Sequence, residues 1–132
     1  MSQENVELAR RAYDAFSRAD FEAFAALLHP EVEFESLVLE VEAKTYRGLD
    51  GAREYFQSIR DVFPDWTVEI IRVQDFGDKL VIESRTSGTG QGSGVRAQQR
   101  FWQAGAVRDG QIVWWKFVRT EAEALEAVRP RE

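Results

Sequence analysis

The sequence predicts an α+β fold, with one curved and mostly antiparallel sheet and helices gathered on one of its faces. Three observations predict it. Helical periodicity dominates residues 5–28, long alternating runs fill residues 66–119, and the two do not take turns as a βαβ pattern requires. Short turn signals, Gly77-Asp78 and Asp109-Gly110, join the late runs as antiparallel neighbours. A sheet covered by helices on one face makes a concave wall that can hold a small molecule.

Each element has its own signal. Residues 5–18 read as a helix because Val6, Ala9, Tyr13 and Phe16 recur at helical spacing, while Arg10, Arg11, Asp14 and Arg18 lie elsewhere. Asp20 caps a second short helix over residues 20–28, with Phe21, Phe24, Leu27 and Leu28 apolar. Pro30 ends it, and His29 sits as a structural cap at its C-terminus. Residues 32–36 alternate like a strand, and Thr45-Tyr46 marks a second short one. Asp50 caps a helix over residues 51–63, with Ala52, Tyr55, Phe56 and Ile59 on one side, and Pro64-Asp65 breaks it. Residues 66–76 and 79–87 form a hairpin across Gly77-Asp78. The glycine-rich segment 88–94 lies between strands and matches neither phosphate-binding pattern, so it reads as a loop. Residues 95–107 and 112–119 are long strands around Asp109-Gly110, and Thr120 or Glu121 starts a last helix over 122–128.

Composition narrows the partners. With 132 residues the chain reads as a single domain, 1–132, large enough to bury a core. A formal charge of −6 and a pI near 4.9 argue against nucleic acid, whose phosphates need a basic face. The absence of cysteine excludes disulfides and thiolate metal sites, and one histidine makes a histidine-rich metal centre or a Ser-His-Asp triad implausible. No metal or cofactor is expected. The opening MSQENVELARRAY is polar and charged, unlike a secretory signal, and no apolar run approaches the roughly 20 residues that span a bilayer. The expectation is a cytoplasmic protein without membrane or nucleic-acid partners.

Four segments, in order, carry a resemblance: RRAYDAFSRADFEAFAALLHPEVEF, TYRGLDGAREYF, SRTSGTGQGSG and DGQIVWWKFVRTEAEALEAV. The chain resembles the nuclear transport factor 2-like superfamily, and within it the SnoaL-like group related to polyketide cyclases. That resemblance implies a cone-shaped α+β barrel, a curved sheet wrapped around three helices with a pocket at the open end. It also implies a set of activities (isomerases, cyclases, dehydratases, epoxide hydrolases) alongside members without a known reaction, so the fold does not settle function.

Alternation sorts the candidate pocket. In residues 80–86, Ser84 shares the less charged face with Leu80, Ile82 and Thr86, opposite Val81, Glu83 and Arg85. Trp115, Phe117 and Arg119 share a face opposite Trp114, Lys116 and Val118, and Arg100 and Trp102 share one opposite Phe101 and Gln103. We place Arg100, Trp102, Trp115, Phe117, Arg119 and Ser84 in the pocket, with Tyr13, Phe16, Tyr55 and Phe56 from the helices. Glu35 ends the first strand, where the resemblance to ketosteroid isomerase-type relatives implies a carboxylate base. Among Phe34, Tyr55, Phe56 and Trp102 it would hold its proton more tightly and act as a shuttle, with Tyr55 as hydrogen-bond donor. Equally, Glu35 pairs with Arg100 or Arg119 as a surface ion pair, and Tyr55 and Phe56 are core. Where isomerase-type relatives place a second acid this chain has Trp102, and where many SnoaL-like members carry tyrosine and aspartate it has Val118 and Thr120. An inward arginine would favour an anionic or carbonyl-bearing ligand.

Both faces of the late strands carry aromatics, so the outer face also needs cover, most simply from a second subunit in a homodimer. Three functions follow. One is a cofactor-free isomerase, cyclase or dehydratase acting on a small hydrophobic carbonyl or hydroxy compound through Glu35 and Tyr55. The second is a non-catalytic ligand-binding domain. The third is a structural dimer whose cavity its own side chains fill.

Overall fold

The computed structural model describes residues 2–36, 44–90, 94 and 96–129. Four helices and six strands follow in the order α1 (Ser2–Ser17), α2 (Phe21–Ala25), β1 (Leu28–Ser36), β2 (Lys44–Arg47), α3 (Gly48–Val62), β3 (Thr67–Asp75), β4 (Lys79–Thr89), β5 (Arg96–Arg108), β6 (Gln111–Val118) and α4 (Glu121–Val128). The strands form one curved sheet in the order β2-β1-β6-β5-β4-β3. Every pairing is antiparallel except β1 with β6, which is parallel. The sheet is open rather than closed: β2 and β3 are its two edges, so the barrel expected from the resemblance is a partly wrapped half-cone. Among the described residues no helix is long and apolar enough to cross a membrane.

The turns form where the sequence places them. Asp109 and Gly110 both have positive φ, 56° and 74°, the geometry that a two-residue hairpin between twisted strands demands. At the other hairpin Gly77 takes a φ of 93°, and Asp75 Oδ1 accepts its N–H at 2.8 Å. Asp20 caps α2 by accepting from Ala23 N at 3.1 Å. Thr120 and Glu123 cap α4 reciprocally in a capping box.

Several boundaries differ from expectation. α2 ends at Ala25, well before Pro30, and His29 and Pro30 both lie in β1. The β1–β6 register is irregular between Leu28 and Glu33, so the proline, which has no N–H to give, falls where the ladder is interrupted. His29 therefore caps no helix; its Nδ1 accepts the N–H of Glu31 at 3.0 Å. α3 starts at Gly48, with Arg47 as an N-cap that makes no side-chain bond, and Asp50 lies in the first turn instead of capping. There its negative charge complements the helix dipole. Gly88 and Thr89 extend β4, while residues 91–93 and Val95 lie outside the described residues.

Two apolar clusters sandwich the sheet. On the concave side α1, α2 and α3 pack their rings against the inner faces of β1, β4, β5 and β6. On the convex side α4 lies on Val81, Ala104 and Val118 through Ala124 and Val128. Within the same chain α4 covers Val81 and Val118 of the outer face, while Trp102 and Trp114 stay half-buried. Phe101, expected on that outer patch, is buried on the concave side.

Candidate functional site

The concave cluster lines a cavity of about 40 Å³. α1 supplies Tyr13 and Phe16, α2 Phe24, and α3 Tyr55 and Ile59, all projected inward by helical spacing. Phe34 comes from β1, Gln103 from β5, and Trp115 and Phe117 from β6, while Trp66 and Val68 close the β3 side. Phe34 stacks on Tyr55 with ring centroids 4.8 Å apart, and Tyr13 meets Trp115 edge-on at 5.8 Å. Trp115 stands over Gly105, its partner in the β5–β6 register; a Cβ there would come within 2.6 Å of the indole. The glycine is what lets the indole lie flat against the strand.

Polar groups in this wall are few and neutral. The Tyr13 hydroxyl donates to Gln103 Oε1, joining α1 to β5 across the cavity. Gln103 is 1% exposed, and its Nε2 has no hydrogen-bond partner. Burial, helped by neighbouring Tyr55, raises the Tyr13 hydroxyl well above its ordinary value. Burial also raises the Tyr55 hydroxyl, with Tyr46 nearby adding to the effect. Both phenols therefore stay protonated and serve as donors, not bases. Among the described residues no carboxylate, imidazole, ammonium or guanidinium lines the cavity. Among the described residues no three His, Asp or Glu side chains gather in a metal-holding group.

The sequence candidates divide cleanly. Tyr13, Phe16, Tyr55, Trp115 and Phe117 line the cavity. Phe56 and Ser84 are buried beside it, Phe56 against Phe16 at 4.8 Å and Ser84 bonded to the Phe101 carbonyl at 3.3 Å. Four candidates lie elsewhere. Glu35 alternates with the inward Phe34, so it points to the convex face, where its Oε2 accepts from Trp114 Nε1 at 2.6 Å. Arg100 and Trp102 are also on the convex face; Arg100 pairs with Glu83 at 3.4 Å, and Trp102 packs in the cluster beneath α4. Arg119 lies past the end of β6 and is exposed. Glu35 thus pairs with neither expected arginine.

Among the cavity residues that the sequence reading missed, which include Phe24, Ile59 and Trp66, Gln103 is the one with an amide side chain. On β5 the phase carrying Gln99, Phe101, Gln103 and Gly105 has no charge, whereas the other carries Arg100. The charge criterion that correctly turned Ser84 inward would have turned Gln103 inward as well.

A family model of the SnoaL-like domain matches residues 9–115. No curated protein matches the chain. Solved structures with the same architecture include TerC co-crystallised with polyporic acid, 20% identical, with a TM-score of 0.78 over 93% of this chain and 96% of that one. A protein assigned to the SnoaL-like polyketide cyclases of Jannaschia sp. CCS1 is 19% identical, with a TM-score of 0.77 over 97% and 94%. A protein of ketosteroid isomerase-like fold from Catenulispora acidiphila, in complex with trimethylamine, is 14% identical, with a TM-score of 0.78 over 91% and 90%. At these identities the likeness is one of fold.

Proposed function

The chain belongs to the SnoaL-like family, and from that premise we propose that it binds a small, uncharged, mainly apolar molecule in the aromatic cavity, without acid–base catalysis by Glu35. The observation that carries this reading is the character of the wall: aromatic rings, one amide, two protonated phenols and, among the described residues, no ionised group. A charged ligand would lose its hydration there without a counter-charge, which is strongly unfavourable. Glu35 has the wrong position for a base, because the sheet itself separates it from the cavity. TerC and the Catenulispora protein, which share this fold, were crystallised with small molecules.

Size sets the terms. An apolar cavity of about 150 Å³ takes benzene, whereas this one, near 40 Å³, takes a few heavy atoms unless a wall ring turns. That volume favours one second reading, in which the interior is simply filled by its own rings. Trp66 and Trp115 line the cavity and report on it. Titration with neutral hydrocarbons and ketones of increasing size should quench tryptophan emission and raise the melting temperature, while matched carboxylates should do neither. No response to any neutral compound supports the filled-core reading. We propose a homodimer through the convex strip beside α4, where Trp102, Trp114 and Lys116 are half-buried, and light scattering decides between one copy and two.

A further inference from the structure

We infer that Gln103 is a specificity-determining residue, whose side-chain amide donates a hydrogen bond to an acceptor oxygen, such as a ketone carbonyl, on the molecule bound in the cavity. The inference rests on the binding function proposed above and adds the chemical class of the ligand to it.

Its basis is an orphan donor. Gln103 sits on the inner face of β5, 1% exposed, and lines the cavity. One end of its amide is engaged by Tyr13, while Nε2 meets no acceptor. A buried N–H without a partner is destabilising on a scale comparable to the whole gain from a typical hydrogen bond, so folded proteins seldom retain one. The conclusion does not depend on which way round the amide lies. If it is reversed, Nε2 gives one proton to the Tyr13 oxygen, and its second N–H and the phenol proton are then uncommitted. In both orientations the pair holds surplus donors. Tyr13 fixes the amide's position, so little freedom is lost when a ligand oxygen arrives.

The surrounding wall defines the rest of the ligand. Phe34, Phe117 and the rings of Tyr55 and Trp115 offer faces and edges that suit a hydrocarbon body. A neutral acceptor satisfies the amide without bringing a charge into the interior. A carboxylate would satisfy the donor equally well, but it would carry an uncompensated charge.

The test uses isosteric pairs in which a carbonyl oxygen is replaced by a methylene, small enough for a cavity near 40 Å³: acetone against 2-methylpropene, and butanone against 2-methyl-1-butene. Affinities come from tryptophan quenching and ligand-detected magnetic resonance on the full chain. The wild type should bind each ketone about threefold to tenfold tighter than its hydrocarbon, the span of one net hydrogen bond. The double variant Tyr13→Phe with Gln103→Leu removes both partners together, which spares the core a new orphan group, and it should bind the two members of each pair equally. In the wild type, the side-chain amide resonances of Gln103 should move on adding ketone and stay on adding hydrocarbon, a readout that needs no variant. Equal affinity for both members of a pair overturns the inference and leaves the binding function standing; it is also the outcome if an ordered water already satisfies Nε2. A ketone preference that survives in the double variant overturns the assignment to Gln103. Absence of binding by all four compounds defeats the binding function itself.

Discussion

Replacing Gly105 by alanine probes the wall of the cavity directly. The new Cβ would lie 2.6 Å from Cε3 and Cζ3 of Trp115. Ordinary carbon contacts sit at about 3.5–4.0 Å, so one partner must retreat by around an ångström. The indole is buried between Tyr13 and the sheet, and the backbone of β5 is held by pairs on both sides, so neither retreats easily. Overpacking of this kind costs about 1–3 kcal/mol. Alanine also narrows the freedom of the unfolded chain, returning about 0.4–1 kcal/mol. The net expectation is a loss of about 1–2 kcal/mol. For a domain between the surveyed size classes that is a fall in melting temperature of about 3–10 °C, read by circular dichroism. Phenylalanine at Trp115 lacks the two clashing atoms, so Gly105→Ala and Trp115→Phe together should be less destabilising than the sum of the two by about 0.5–3 kcal/mol. A Gly105→Ala protein that melts at or above the wild type, or strict additivity in the cycle, would refute the packing argument.

Three further outcomes follow from the same geometry. Glu35→Gln keeps an acceptor for Trp114 on the convex face, so it should shift stability by less than about 1 kcal/mol and leave cavity affinity unchanged by the same quenching titration; a loss of ligand affinity would put Glu35 back in the site. Arg60 is 9% exposed and donates to the carbonyls of Trp66 at 2.7 Å, Pro64 at 3.3 Å and Phe16, tying the end of α1 to the loop after α3. Arg60→Met takes the side-chain donor from the Trp66 and Pro64 carbonyls, while the Phe16 carbonyl keeps the N–H of Ala19 at 3.1 Å, and should cost about 2–3 kcal/mol in urea denaturation, with Arg60→Lys recovering only part because an ammonium lacks the planar fork. The Asp65 carboxyl accepts from Thr89 N at 2.7 Å, which holds it below the usual carboxylate range, with the Thr89 hydroxyl and Arg96 acting in the same direction. Its folded value is depressed, so its contribution is complete above the unfolded value near 3.9 and is lost as pH falls through the lower folded value. Melting curves of wild type and Asp65→Asn should therefore differ by a constant amount above about pH 5 and converge in the acid range; a gap that widens in acid would contradict the sign.

Much of the architecture is written locally. The helical spacing of Val6, Ala9, Tyr13 and Phe16, the capping residues Asp20 and Thr120, and the Asp109-Gly110 turn each act within a few residues, so they can be read without knowing the fold. The same is true of Tyr13, Phe16 and Tyr55 as cavity residues, because a helix with one apolar face has one direction to point it. Pro30 misled for the converse reason. A proline rules out a backbone donor wherever it stands, but whether it ends a helix or sits in a strand irregularity depends on what lies beside it, here β6.

The strand candidates show where local reading stops. Alternation gives two phases and says only that they are opposite; a third element decides which faces inward. On β6 the phase with Trp115 and Phe117 was chosen correctly, and on β5 the phase with Arg100 and Trp102 was chosen wrongly. Trp102 was placed in the pocket because it shares a strand face with Arg100, at the position where the resemblance implies a second acid; it is half-buried, but on the convex face beneath α4, a helix from the far end of the chain. Glu35 is settled the same way, by Phe34 lying opposite Trp115 in the parallel β1–β6 pairing. Composition and periodicity determined that this chain folds as helices on a curved sheet with an aromatic interior. Only the tertiary structure decided that the interior holds an amide and no acid, since pairing between distant strands and cover from α4 set the phase of each strand.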